Sequence, residues 1–95
     1  MSGFVYILAD TRRGRTHIGV TSDLQRLVYE HREGLVPGYA KKNTIKRLVY
    51  LGEHGEITDA IQRETSLKRW YRAWKEALIA QANPEWRDLW DEIGD

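Results

Sequence analysis

A glutamate on an apolar helical stripe is the residue of this chain that most demands an explanation. Glu64 stands three residues after Ile61 and three before Leu67, on the helical face those two are expected to share. An ionised carboxylate turned toward a core is costly unless a cation, hydrogen bonds or a metal ion compensates it. Two readings follow: an ion pair with Lys68 one turn on, or a single-carboxylate metal site. His17 raises a second question. It stands beside Ile18 and Gly19 in a strand-like segment, where glycine often marks the close approach of a ligand or of backbone. Strand alternation groups Tyr6 with Phe4 and Leu8, and His17 with Gly19, so Tyr6 and His17 become candidate cross-strand neighbours able to share proton transfer. The plainer reading of His17 is a solvent-facing strand position. His31, on the inward side of a helix, is either a hydrogen-bonded packing residue or a catalyst.

Several elements must position these groups. Phe4 to Ala9 (FVYILA) is rich in aromatic and β-branched residues, and Asp10 to Arg15 brings a turn signal at Gly14 before Thr16 to Val20 (THIGV); the pattern predicts a β-hairpin. Ser22 with Gln25 forms a capping box that starts a helix near Asp23, and Gly34 stops it. Within that helix Leu24, Leu27, Val28 and His31 make the core-facing stripe, and Arg26 points elsewhere. Leu35 to Thr44 has loop composition, and Arg47 to Leu51 resumes a strand pattern, completing a three-stranded sheet. From Ile57 to about Ala82 the apolar spacing is helical over a length that suits two helices or one kinked helix. Asn83 and Pro84 read as the N-cap and first turn of a short acidic helix carrying Trp86 and Trp90. The pairs Trp70 with Trp74 and Trp86 with Trp90 are four residues apart, so each is expected to stack along a helical face as core packing.

Composition bounds the chemistry. Ninety-five residues, 41% hydrophobic and 31% charged, are expected to make one domain over residues 1–95. Zero cysteines exclude a disulfide scaffold, a thiolate zinc site and a cysteine nucleophile, and fit a reducing, cytoplasmic setting. The longest apolar run, Phe4 to Ala9, is far shorter than the ~20 residues a bilayer requires, and no basic-then-apolar leader is seen, so no membrane association is expected. Net charge is only +1, yet the first fifty residues carry nine Lys/Arg against four Asp/Glu and the remainder six against ten. A polyanion could therefore dock on the first half. Lys41, Lys42, Lys46 and Arg47, together with Arg12, Arg13 and Arg15 at the hairpin turn, form the candidate phosphate-tracking surface. Zinc-ligand spacing, a nucleophile elbow and a phosphate-cradling glycine loop are all missing from the sequence.

Val5-Tyr6-Ile7, His17-Ile18-Gly19, a helix ending Glu30-His31 and Arg63-Glu64 on a later helix follow one another in a specific order and spacing. The chain thereby resembles the GIY-YIG nuclease superfamily, in its small stand-alone members, from Phe4 to Leu89. The strings HIGVTSDL, YEHREGLV, KRLVY and NPEWRDLW carry the likeness. The resemblance implies an α/β (α+β) fold, a three-stranded antiparallel sheet flanked by helices, and hydrolysis of DNA phosphodiester bonds with one divalent cation, Mg²⁺ or Mn²⁺. It implies that Glu64 binds the metal, that Tyr6 positions or deprotonates the attacking water, and that His17 replaces the second motif's tyrosine. His31 corresponds to the histidine one turn beyond the family's catalytic arginine. Asn83 corresponds to a late asparagine that helps position the site, although its capping role explains it equally. At the arginine position stands Leu27, with Arg26 next to it as an imperfect substitute. The functions implied are an endonuclease acting in DNA repair or recombination, or a catalytically impaired GIY-YIG domain that binds nucleic acid or protein. A small interaction domain whose basic half docks acidic partners is the third reading. Specificity would come from DNA structure or from a protein partner.

Overall fold

FVYILA carries apolar side chains at both parities, so neither face of that strand can be left to water. The computed structural model, which describes residues 1–10, 14–34 and 45–93, accordingly places this strand in the middle of the sheet. Strands β1 (Gly3–Ala9), β2 (Thr16–Thr21) and β3 (Arg47–His54) run antiparallel in the order β2-β1-β3. Tyr6, Leu8 and Leu48 face one layer with Leu27, Val28, Ile45 and Trp90; Val5, Ile7, Ala9, Ile18 and Val49 face the other with Ala60, Leu67, Ile79 and Trp86. Arg12, Arg13, Lys41 and Lys42 lie outside the described residues.

Helix α1 (Leu24–Arg32) covers the first face. Its N-cap is Asp23, whose Oδ1 accepts from the Arg26 amide at 3.0 Å, and Thr21 Oγ1 accepts from the Asp23 amide at 3.1 Å. The capping box expected of Ser22 and Gln25 is therefore replaced by an aspartate cap one residue later, a carboxylate being as good an acceptor for the free amides of a first turn. Gly34, at φ 74°, ends the helix as expected. On the second face the long helical pattern resolves into α2 (Ile57–Lys68) and α3 (Arg72–Ala82). The break falls at Trp70 and Tyr71, so Trp70 and Trp74 do not stack along one helical face in the core as expected: they meet edge-on across the break at 6.1 Å and 82°, and Trp74 is exposed.

The helix expected after Asn83 is absent among the described residues except for a 3-10 turn at Trp90–Glu92. Asn83 instead closes α3 and fastens the tail to β3. Its Nδ2 donates to the carbonyls of Val49 (3.1 Å) and Arg87 (2.9 Å), and its Oδ1 accepts from the Arg87 amide at 3.0 Å. These bonds hold residues 83–87 in a turn, with Trp86 at φ 53°, which is incompatible with continuing helix. The chain then crosses the border of β3, so Trp86 enters the second core layer and Trp90 the first. The two rings are thus on opposite faces of the sheet and do not stack on each other.

Replacing Asn83 would strand a buried carbonyl and two further backbone partners. Asn83→Ala and Asn83→Asp should each lower stability by about 2–3 kcal/mol, at roughly 4–8 °C of melting temperature per kcal/mol. A urea midpoint equal to that of the parent for either variant would show that the clamp carries no stability.

Candidate active site

The strand register decides which groups share a surface. Tyr6 pairs with Gly19 and Leu8 with His17, so Tyr6 and His17 lie on the same face as diagonal neighbours, two residues out of direct opposition. A Cβ at position 19 would run into Cζ and the hydroxyl of Tyr6, so the ring lies across the glycine. Gly19 therefore serves close approach, here of a tyrosine side chain. Ala60 and Leu67 are fully buried on α2, with Ile57 and Glu64 partly buried beside them. At 100° per residue, positions 57, 60, 64 and 67 fall within one arc of about 80°. Ile61 lands outside that arc and is 46% exposed, so it does not share the face of Glu64 as its spacing from Leu67 suggested. Glu64 is only 17% exposed at its side chain, and its Oε2 lies 3.4 Å from Lys68 Nζ; the ion pair is formed.

Electrostatics links the three groups. Burial pushes the Tyr6 phenol above its ordinary value, and the negative charges of Glu30 and Glu64 push it further. Burial lowers His17, Lys68 lowers it again, and Glu64 opposes both. Near neutral pH the site thus presents a protonated phenol and a neutral imidazole, beside a carboxylate on α2 whose charge both of them feel. Among the described residues no group of three or more His, Cys, Asp or Glu side chains gathers to hold a metal ion. A metal here would have Glu64 as its protein ligand, a donor set that suits Mg²⁺, which keeps several waters and takes one or two carboxylates plus substrate oxygens.

The remaining candidates are distributed differently. His31 stacks on Trp90 at 4.2 Å and 15°, its Nδ1 buried without a hydrogen-bond partner, and burial lowers its pKa. Leu27 is buried in the same cluster as Tyr6, while Arg26 is 74% exposed and pairs with Glu30 at 3.7 Å. Arg26 therefore reaches the rim of the site through Glu30, whose charge Tyr6 feels, rather than entering it. Asn83 sits against β3, across the sheet from His17, and the structure does not bring it to Tyr6. Arg15 pairs with Asp10 at 3.1 Å at the hairpin end, and Lys46 is exposed, its carbonyl accepting from Trp90 Nε1 at 2.7 Å. A cavity of about 520 Å³ between α1 and Ile93 holds none of these residues. A smaller groove of about 290 Å³ is lined by Thr16, His17, Ile18, Lys68 and Lys75. Lys75 does not stand out in the charge balance of the two halves of the chain, since the second half is acidic as a whole. The available signal was local: residues 63–75 hold five Lys/Arg against one Glu.

A family model described as the GIY-YIG catalytic domain matches residues 2–77. The chain belongs to the GIY-YIG family. The match ends short of Leu89, so Asn83 and the tail clamp lie beyond it. A UPF0213 protein of Halobacterium salinarum is 34% identical over 75 residues, covering 79% of this chain and 96% of that one. The solution NMR structure of the UPF0213 protein BH0048 from Bacillus halodurans superposes over the full length of both chains, with a TM-score of 0.60 at 24% identity, a likeness of fold. GIY-YIG membership makes this a nuclease-type domain, and the three-stranded antiparallel sheet with helices on both faces is the architecture expected of it. No helix among the described residues is long and apolar enough to cross a membrane.

NMR titration of the histidines tests the electrostatics. His17 should titrate below pH ~6.5; Glu64→Gln should move it further down, and Lys68→Met should move it up. Because His17 and His31 hold protons less firmly folded than unfolded, stability should be full above the unfolded-state value and fall as pH drops below it. A His17 midpoint above 6.5, or one unmoved by both substitutions, would contradict this arrangement.

Proposed function

We propose that this chain is a divalent-metal-dependent DNA endonuclease that hydrolyses phosphodiester bonds, with DNA repair or recombination as its setting. The observation that supports this reading is that Tyr6, His17 and Glu64 come from three different elements, with the proton affinities of Tyr6 and His17 both shifted by the charge of Glu64, which itself pairs with Lys68. Neutral imidazole is the competent base of the three at neutral pH, so His17 takes the proton of the attacking water. Tyr6, kept protonated, orients that water or a phosphate oxygen through its hydroxyl. Glu64 would hold Mg²⁺ or Mn²⁺, which when bound would polarise the phosphate and support the leaving 3′ oxygen. Water attack with loss of that oxygen leaves a 5′ phosphate and a 3′ hydroxyl.

A second reading is supported by Leu27. The position of the family's catalytic arginine is apolar core here, and loss of one charge-stabilising donor can cost ~10²–10³ in rate. On that reading the domain binds nucleic acid or a protein partner without cutting.

Cleavage assays on duplex, branched and single-stranded DNA separate the two. With Mg²⁺ or Mn²⁺ the parent should nick at least one substrate, and Glu64→Gln should reduce the rate by ~10² or more with the fold intact. Since His17 is the base and titrates low, the acid limb of the rate profile should lie below pH ~6.5 and disappear with His17→Ala. Salt-dependent DNA binding by the parent without cleavage of any substrate would favour the binding module instead.

A further inference from the structure

Phosphodiester hydrolysis needs a fixed cation facing the non-bridging oxygens, and the first helix does not place one in the site. Leu27 is packed in the core, and the Arg26 side chain is 74% exposed and committed to Glu30. The run from Arg63 to Lys75 supplies cations instead, and two of them meet in one place. Lys68, the last residue of α2, and Lys75, one turn into α3, line the groove that His17 and Thr16 open from β2.

The fold fixes both lysines. Lys68 is held by Glu64 one turn earlier, at 3.4 Å. An ammonium has three donors, and with its side chain 54% exposed Lys68 has donors left for a ligand. Lys75 stands on a helix whose start is fastened by Arg72: its Nη2 donates to the Gly14 carbonyl at 2.6 Å and its Nε pairs with Glu76 at 2.9 Å, tying α3 to the hairpin beside β2. Among the described residues Lys75 makes no ion pair. The groove is lined by two lysines, a threonine, a histidine and Ile18, with no acidic residue among them, Glu64 standing behind Lys68. That lining is complementary to an anion rich in oxygen acceptors.

We infer that Lys68 and Lys75, with His17 and Thr16, form the groove that binds the phosphates of the strand to be cut, Lys68 taking the scissile phosphate where the arginine is missing. The inference rests on the nuclease reading for its scissile phosphate, but the groove's affinity for a polynucleotide can be measured without cleavage. Lysine acts here as a point charge rather than a bidentate fork. Arginine at position 68 therefore keeps the function, whereas an uncharged side chain of similar length removes it.

The test combines cleavage with binding. Rates are measured with Mg²⁺ and Mn²⁺ for the parent, Lys68→Met, Lys68→Arg and Lys75→Met. Affinity for a fluorescent DNA oligonucleotide is measured by anisotropy at several salt concentrations, and circular dichroism verifies folding. Lys68→Met should lower kcat by ~10²–10³ and change KM far less, with Lys68→Arg restoring most of the rate. Lys75→Met should weaken binding and reduce the slope of log affinity against log salt by roughly 0.7–0.9. Folded Lys68→Met protein that cuts at the parent's rate would overturn the inference and leave the nuclease reading standing. If the parent cuts nothing, the nuclease reading fails and Lys75→Met decides the groove: a reduced slope supports phosphate binding there, and an unchanged slope overturns it.

Discussion

A central strand with apolar side chains on both faces requires two layers of cover, and the rest of the molecule follows from that requirement. Even-numbered residues of β1 from Tyr6 onward meet α1 and Trp90; odd-numbered ones from Val5 onward meet α2, α3 and Trp86. A polar group on such a strand has nowhere to go except toward a gap in the cover. For Tyr6 that gap is Gly19, whose missing side chain leaves room for the ring and its hydroxyl on β2. Because β2 lies at one border of the sheet, groups from both layers come within electrostatic range there. Glu30 from α1 and Glu64 from α2 both act on the same phenol.

The same arrangement separates the proton affinities of two groups that would otherwise compete. Burial favours the neutral form of each, which means upward for a phenol and downward for an imidazole. The site thereby holds one donor and one acceptor of protons at the same pH, the usual way an environment assigns acid and base roles. Glu64 raises both groups, adding to the effect of burial on Tyr6 and opposing it on His17. A positive charge that neutralises Glu64 therefore lowers both proton affinities together.

Much of this was legible in the residues and some was not, for identifiable reasons. Alternation and composition placed the hairpin, the third strand and the long helical stretch, because period-two and period-3.6 burial leave direct traces in sequence, while the choice between two helices and one kinked helix stayed open. Glu64 was conspicuous for the same reason, and the ion-pair reading is the one the structure forms, with Lys68 at 3.4 Å. The capping residue was missed by one position because serine and aspartate are nearly equivalent caps, and only backbone geometry chooses between them. Ile61 was assigned to the wrong side of α2 because spacing to a single partner does not define an arc. Asn83-Pro84 carries a strong helix-start signal, but the asparagine's amide was claimed by β3, a tertiary contact that no local window contains. Lys75 depended on a fastening between Arg72 and Gly14, 58 residues apart, which is equally invisible locally.

The tail beyond the GIY-YIG match has a consequence for how copies of this protein meet one another. A terminal strand of a sheet presents a row of unused amides and carbonyls to which a second molecule can add a strand, the first step of ordered aggregation. On β3 and the residue just before it, the Lys46, Leu48 and Val49 carbonyls and the Leu48 amide are taken by Trp90, Leu89, Asn83 and Asp88. Residues 83–90 thus act as a non-strand cover for half of a sheet border. Over that half they remove the template for intermolecular pairing without adding a fourth strand to the sheet.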